Sequence, residues 1–111
     1  MPYYNRKANG VLIGDCGLEQ IEVDGVSIAE LGYDFRSDYW HQGLATEAAR
    51  AVRDYAFHSL RLPRLISLIR VGNRPSQRVA EKLGMRCADE IVRHNRRYWR
   101  YVLDHDSASA R

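Results

Sequence analysis

The run Tyr39-Trp40-His41-Gln42-Gly43-Leu44-Ala45-Thr46-Glu47-Ala48-Ala49-Arg50 closes an apolar, strand-like segment and opens an amphipathic helix, with a glycine at the junction. The first turn of a helix carries N–H groups with no intrahelical partner, and the aligned peptide dipoles add partial positive charge there. Gly43 and Ala45 leave the loop backbone uncovered, so the junction is suited to an anion such as a pyrophosphate. Glycine precedes a helix in many proteins that bind no phosphate, so this stretch gains its meaning from what surrounds it.

Downstream, Leu44, Ala48, Val52, Tyr55, Ala56 and Leu60 recur near the helical period and predict one helix over 44–60 with a single buried stripe. Pro63 prevents its continuation, and Leu65-Ile66-Ser67-Leu68-Ile69-Arg70-Val71 reads as a largely buried strand. Strand, helix and strand in this order imply a parallel pair with a right-handed crossover. Asn73 then stands as the N-cap of a second helix, with Pro75 in its first turn and Gly84 just past its end. Residues 87–93 and 97–103 form a last pair of strands around His94-Asn95.

Upstream, strands at Tyr3–Arg6 and Val11–Leu18 flank Lys7-Ala8-Asn9-Gly10, whose Asn-Gly favours a tight hairpin turn. A polar stretch from Glu19 to Val26 turns at Asp24-Gly25, and Ser27–Phe35 is the next strand. The expected fold class is α/β: a mixed central sheet of antiparallel hairpins plus one parallel βαβ crossover, with two main helices. A chain of 111 residues, 45% hydrophobic and 28% charged, fits one domain, with a folded core over 1–103 and a disordered Ser- and Ala-rich tail over 104–111.

No apolar run approaches the roughly 20 residues that span a bilayer, and the first residues lack an apolar signal core, so a cytoplasmic protein without a membrane partner is expected. Cys16 and Cys87 are isolated, which gives no support to a metal site or disulfide and suggests two buried thiols. The net charge of +3 is modest, and the Arg residues cluster only at Arg93, Arg96, Arg97 and Arg100. A solvated hairpin face accounts for that cluster better than nucleic acid, since no RNA-binding motif accompanies it.

Four motifs, Glu30-Leu31-Gly32-Tyr33, Tyr39 to Ala48, Asn73-Arg74-Pro75-Ser76 and Glu81-Lys82-Leu83-Gly84-Met85, resemble in order and spacing the GNAT acyl-CoA N-acyltransferases. Within them they look like the subgroup that acetylates ribosomal-protein N termini and related amines. The resemblance covers roughly Gly10 to Leu103. Family members carry an additional strand and one or two helices before the opening hairpin, and this sequence has no counterpart for them. Since those elements wall the acceptor groove, the resemblance implies a short member, a fragment, or a dimer supplying the wall in trans. The open edge at Tyr3–Arg6 makes a homodimer reasonable.

The resemblance also implies the site. Acetyl-CoA is the expected cosubstrate and an amine the acceptor, with no metal. The backbone of Tyr33, Asp34 and Phe35 is expected to bind the pantetheine arm and polarise the thioester. Gln42, Gly43, Leu44, Ala45 and Thr46 are expected to hold the pyrophosphate through main-chain N–H groups. Trp40 and His41 stand where many members have other residues, which binding through the backbone tolerates.

Asn73 is expected at the thioester end of the carrier, as well as in its capping role. Ser76 is the candidate general acid for the departing thiolate; an ordinary helical serine is the alternative. Many relatives place a Tyr four residues beyond that Ser, where this chain has Ala80. Glu30 is the candidate base, directly or through water, against the alternative of an ordinary strand carboxylate. Another acid position of some relatives is Leu68 here. His58 and His94 are expected at the surface, while Arg74 and Arg78 either reach phosphates or form a solvated face. The competing function is a non-catalytic acyl-CoA-binding or assembly module without a complete acceptor groove. A third possibility is an RNA- or ribosome-contacting accessory using the Arg93–Arg100 hairpin.

Overall fold

The computed structural model describes residues 3–8, 11–35 and 44–105, with side chains over 16–33 and 45–105. Six strands, β1 (Tyr3–Ala8), β2 (Val11–Val23), β3 (Val26–Phe35), β4 (Arg64–Arg70), β5 (Arg86–Arg93) and β6 (Arg96–Asp104), form one sheet in the order β1-β2-β3-β4-β6-β5. All neighbours are antiparallel except β3 and β4, which run parallel and are joined through helix α1 (Leu44–Asp54). Helix α2 (Arg74–Lys82) connects β4 to β5, and β6 returns between those two strands. The expected mixed sheet with one parallel crossover and two main helices is therefore the fold.

Three boundaries move for physical reasons. β2 continues through the stretch read as polar as far as Val23, because Glu19, Ile21 and Val23 pair directly with Glu30, Ile28 and Val26. The alternation puts Ile21 in a core while Gln20 and Glu22 stay exposed. The first helix is α-helical only to Asp54 and then makes a π turn over Tyr55–Ser59, with Leu60 N–H bonded to Tyr55 C=O. That turn has both Ala56 and Phe57 buried. Asp104, read as the start of the tail, closes β6 and pairs with Arg64 across β4 at 2.6 Å. Residues 106–111 lie outside the described part, as does the Asn9-Gly10 turn.

The main core lies between the helices and one sheet face: Leu18 and Leu31, Ala48 and Val52 of α1, Leu65 and Ile69 of β4, Val79 and Ala80 of α2, with Phe57 and Leu83. A smaller cluster on the strands, Ile21, Ile66 and Val102, gathers Ile28 and Leu68 around it. Arg53 donates to the Leu83 carbonyl at 3.0 Å, tying α1 to the C-terminal end of α2 where a cation suits the helix dipole. One sequence expectation fails: Cys16 is buried but Cys87 is exposed. Cys87 sits on the edge strand β5, where the register shifts between Cys87 and Asp89.

Candidate active site

The site begins where the parallel pair gives way. β3 and β4 share one register pair, Glu30 opposite Ile66. Past it lies a cleft of about 190 Å³ between Leu31–Tyr33 of β3 and Ser67–Arg70 of β4, with Asn73 and Ser76 of α2 closing one side. Two side chains bridge its root. Leu68 N–H donates to Glu30 Oε2 at 3.2 Å, and the buried Ser67 hydroxyl donates to the Leu31 carbonyl at 2.7 Å.

Glu30 is partly buried, and that desolvation raises its pKa above the ordinary glutamate value; Glu19 opposite raises it further, whereas the Leu68 N–H and Arg93 pull it down. The net direction is upward. Leu31 and Tyr33 pack with the helices, so Glu30 points to the other sheet face.

On the helical side, Asn73 caps α2 as the sequence predicts: its Oδ1 accepts the Ser76 N–H at 3.2 Å, and Pro75 occupies the first turn. Ser76 is 6% exposed and lines the cleft. The Tyr33 hydroxyl donates to the Ser76 carbonyl at 2.6 Å, fastening β3 to α2 across the cleft. Burial, foremost, pushes the Tyr33 phenol well above its usual pKa, so it stays protonated and keeps that bond.

The structure thus brings Tyr33, Asn73 and Ser76 to one cleft, with Glu30 bonded to the Leu68 N–H at its root from the other sheet face. Asp34 and Phe35 continue β3 beyond it, and their side chains lie outside the described part. Leu44, Ala45 and Thr46 form the first turn of α1, with the Ala45 methyl buried in the core. Gln42 and Gly43, together with Trp40 and His41, lie outside the described residues.

Ser67 and the Tyr33 side chain line the cleft and hydrogen-bond across it, and sequence reasoning singled out neither. The available signal for Ser67 is a lone hydroxyl inside an otherwise apolar run ending at Arg70. His58 and His94 are exposed as expected. Arg74 lies 5.5 Å from the Trp99 ring centroid and donates to Gln77, which gives its guanidinium a local place. Neither cysteine lines the cleft. Among the described residues no cluster of three metal-ligating side chains occurs, and no helix is long and apolar enough to cross a membrane.

The slot between diverging strand edges suits an extended carrier arm bearing amides, which can pair with main-chain groups as an inserted strand does. A larger hollow of about 390 Å³ at the other end of β3 and β4 is lined by Gln20, Ile28, Leu62 and Arg64 among others. Its one lining cation, Arg64, is paired with Asp104, so it offers no acid–base pair for group transfer.

Residues 3–86 match the model of the acetyltransferase (GNAT) domain, so the chain belongs to that family. It is 38% identical over 90 residues to the uncharacterized protein YkkB of Bacillus subtilis, covering 81% of this chain and 52% of that protein. It is 39% identical over 84 residues to the probable N-acetyltransferase YjcK of the same organism, covering 76% and 46% respectively. The crystal structure of a GNAT-family acetyltransferase from Bacillus anthracis superposes with a TM-score of 0.72 at 29% identity, over 87% of this chain and 61% of that one. The chain spans about half the length of these curated relatives.

Proposed function

We propose that the protein is an acetyl-CoA-dependent N-acetyltransferase that passes acetyl to a primary amine by direct attack, without a covalent enzyme intermediate. The observation that carries this reading is the β3–β4 cleft, flanked by a carboxyl of raised pKa and a buried serine hydroxyl. When bound, acetyl-CoA supplies the activated thioester. The backbone of Tyr33, Asp34 and Phe35 holds the pantetheine arm. Gln42, Gly43, Leu44, Ala45 and Thr46 receive the pyrophosphate at the N-terminus of α1.

Glu30 takes the proton of the amine, directly or through water. Its carboxyl faces away from the helices, so the amine approaches from the sheet face opposite α2. Ser76 donates to the departing sulfur from the helical side, and Asn73 fixes the turn that presents it. Acid and base reaching the cleft from two sides keep proton uptake and release apart. Neither cysteine being at the cleft supports direct transfer over a covalent relay.

The motif set resembling the ribosomal-protein subgroup makes a protein N-terminal amine the first acceptor to test, with small-molecule amines second. Dependence on acetyl-CoA goes with a cytoplasmic setting. The test is calorimetric titration with acetyl-CoA followed by an assay of free thiol in the presence of mixed peptide and amine acceptors. Binding with thiol release is expected. Binding without release across the panel would instead identify a carrier-binding module, and no binding would overturn the reading.

A further inference from the structure

We propose that Ser67 and Glu30 are positioning residues that split one rung of the β3–β4 ladder and so set the point at which an acyl carrier begins to pair with the sheet. The proposal rests on the acyl-transfer reading above. In a parallel ladder each hydrogen bond slants from one residue to the neighbour of its partner. From the Glu30–Ile66 pair, the next rung in register joins Leu68 N–H to Leu31 C=O. That rung is open, and each half has a side-chain partner of its own: the Glu30 carboxyl takes the Leu68 N–H, and the Ser67 hydroxyl caps the Leu31 carbonyl.

Parting two paired strands ordinarily strands a buried donor and a buried acceptor, each costly when left alone. Here one acceptor and one donor, inserted from successive registers, remove both penalties, so the cleft opens without orphaned groups at its root. Ser67 is 1% exposed, and among the described residues no buried side-chain nitrogen or oxygen lacks a partner. Its neighbours Leu65, Ile66 and Ile69 are all buried apolar side chains, a setting in which a hydroxyl persists only with a bonded partner.

The consequence is a defined starting point. With Leu31 C=O and Leu68 N–H occupied, the first main-chain groups presented to an incoming arm are the Tyr33 N–H and the Leu68 carbonyl. The expected carrier contact at Tyr33, rather than at Leu31 two residues earlier, follows from Ser67 holding the Leu31 carbonyl. Ser67 acts through the strands and touches no reacting atom in this scheme. Removing its hydroxyl leaves Leu31 C=O free to recapture the Leu68 N–H and zip the cleft shut by one step.

The experiment compares wild type, Ser67→Ala and Ser67→Thr in acetyl-CoA titrations and in steady-state kinetics. The Leu68 amide resonance is followed across pH in the ligand-free chain. The expected result is about a tenfold weaker acetyl-CoA affinity for Ser67→Ala, read as a raised KM with a smaller change in kcat. Ser67→Thr, which keeps the hydroxyl, stays within about threefold of wild type. The Leu68 amide is expected to move with the titration of the Glu30 carboxyl and to lose that movement in Glu30→Gln.

Wild-type affinity in Ser67→Ala, or equal losses in the Ala and Thr variants, would overturn the proposal. If Ser67→Ala does not fold, Ser67→Thr and the Leu68 amide carry the decision. A Leu68 amide that ignores the carboxyl while acetyl-CoA still binds removes the split rung alone. Absence of wild-type binding removes the acyl-transfer reading and the carrier register with it.

Discussion

In the proposed reaction Glu30 is the proton acceptor beside the cleft. Burial holds its proton more tightly in the native chain than in the unfolded one. Between the unfolded and the native pKa the native state therefore binds more protons, and stability falls as pH rises through that window. Glu30→Gln removes this cost, and its amide oxygen still accepts the Leu68 N–H. Thermal unfolding at neutral pH is expected to occur at or above the wild-type midpoint, while kcat falls by about 100-fold. In the wild type, activity is expected to fall with decreasing pH along a limb above the ordinary glutamate range, and the variant loses that limb. Asn73→Ala should cost about 1 kcal/mol through the lost cap, measurable by denaturant unfolding, and raise the KM for acetyl-CoA if the side chain also meets the carrier.

At the scale of elements, α2 is located by its ends. Asn73 starts it, and Gly84, at φ +92°, ends it in a conformation that costs an L-residue about 1–2 kcal/mol. Gly84→Ala should lower unfolding stability by that amount without touching the cleft. The Tyr33 hydroxyl fixes the inner side of α2 to β3. Tyr33→Phe is expected to cost about 1 kcal/mol and to speed hydrogen exchange in the first turn of α2, as measured by amide exchange. These ends were legible in the sequence because caps depend on residues three or four apart. The tether was not, because it joins positions 43 apart and exists only once β3 and α2 have packed.

Across the whole molecule, two of the four arginines of the basic hairpin are paired within it. Arg97 pairs with Glu90 at 2.7 Å, and Arg100 donates to Asp89 at 2.8 Å. RNA binding is accordingly expected to stay in the non-specific range of about 10⁻⁴–10⁻⁶ M and to show no sequence preference in filter binding. Burial first, then the Asp89 carboxylate, holds the exposed Cys87 thiol above its usual pKa and keeps it a weak nucleophile. β1 and β5 are the two edges of the described sheet, and β1 is the edge through which self-association was expected. We expect the sedimentation mass to rise with concentration; a constant monomer mass would exclude that association.

The sequence by itself determined the order of strands and helices, the parallel crossover, the turns at Asp24-Gly25 and His94-Asn95 and the caps of α2. Each rests on hydrophobic period or on backbone angles within a few residues: Asp24, His94 and Asn95 all take the positive φ that their turns demand. The motif resemblance also pointed to Tyr33, Asn73 and Ser76, which line one cleft, and to Glu30, which bonds the Leu68 N–H at its root. Only the tertiary structure decided that Ser67 caps the Leu31 carbonyl, that Glu30 accepts from Leu68, that β6 separates β4 from β5 and that Cys87 is exposed. These facts depend on register between strands distant in the chain, where a shift of one residue turns every side chain to the other face.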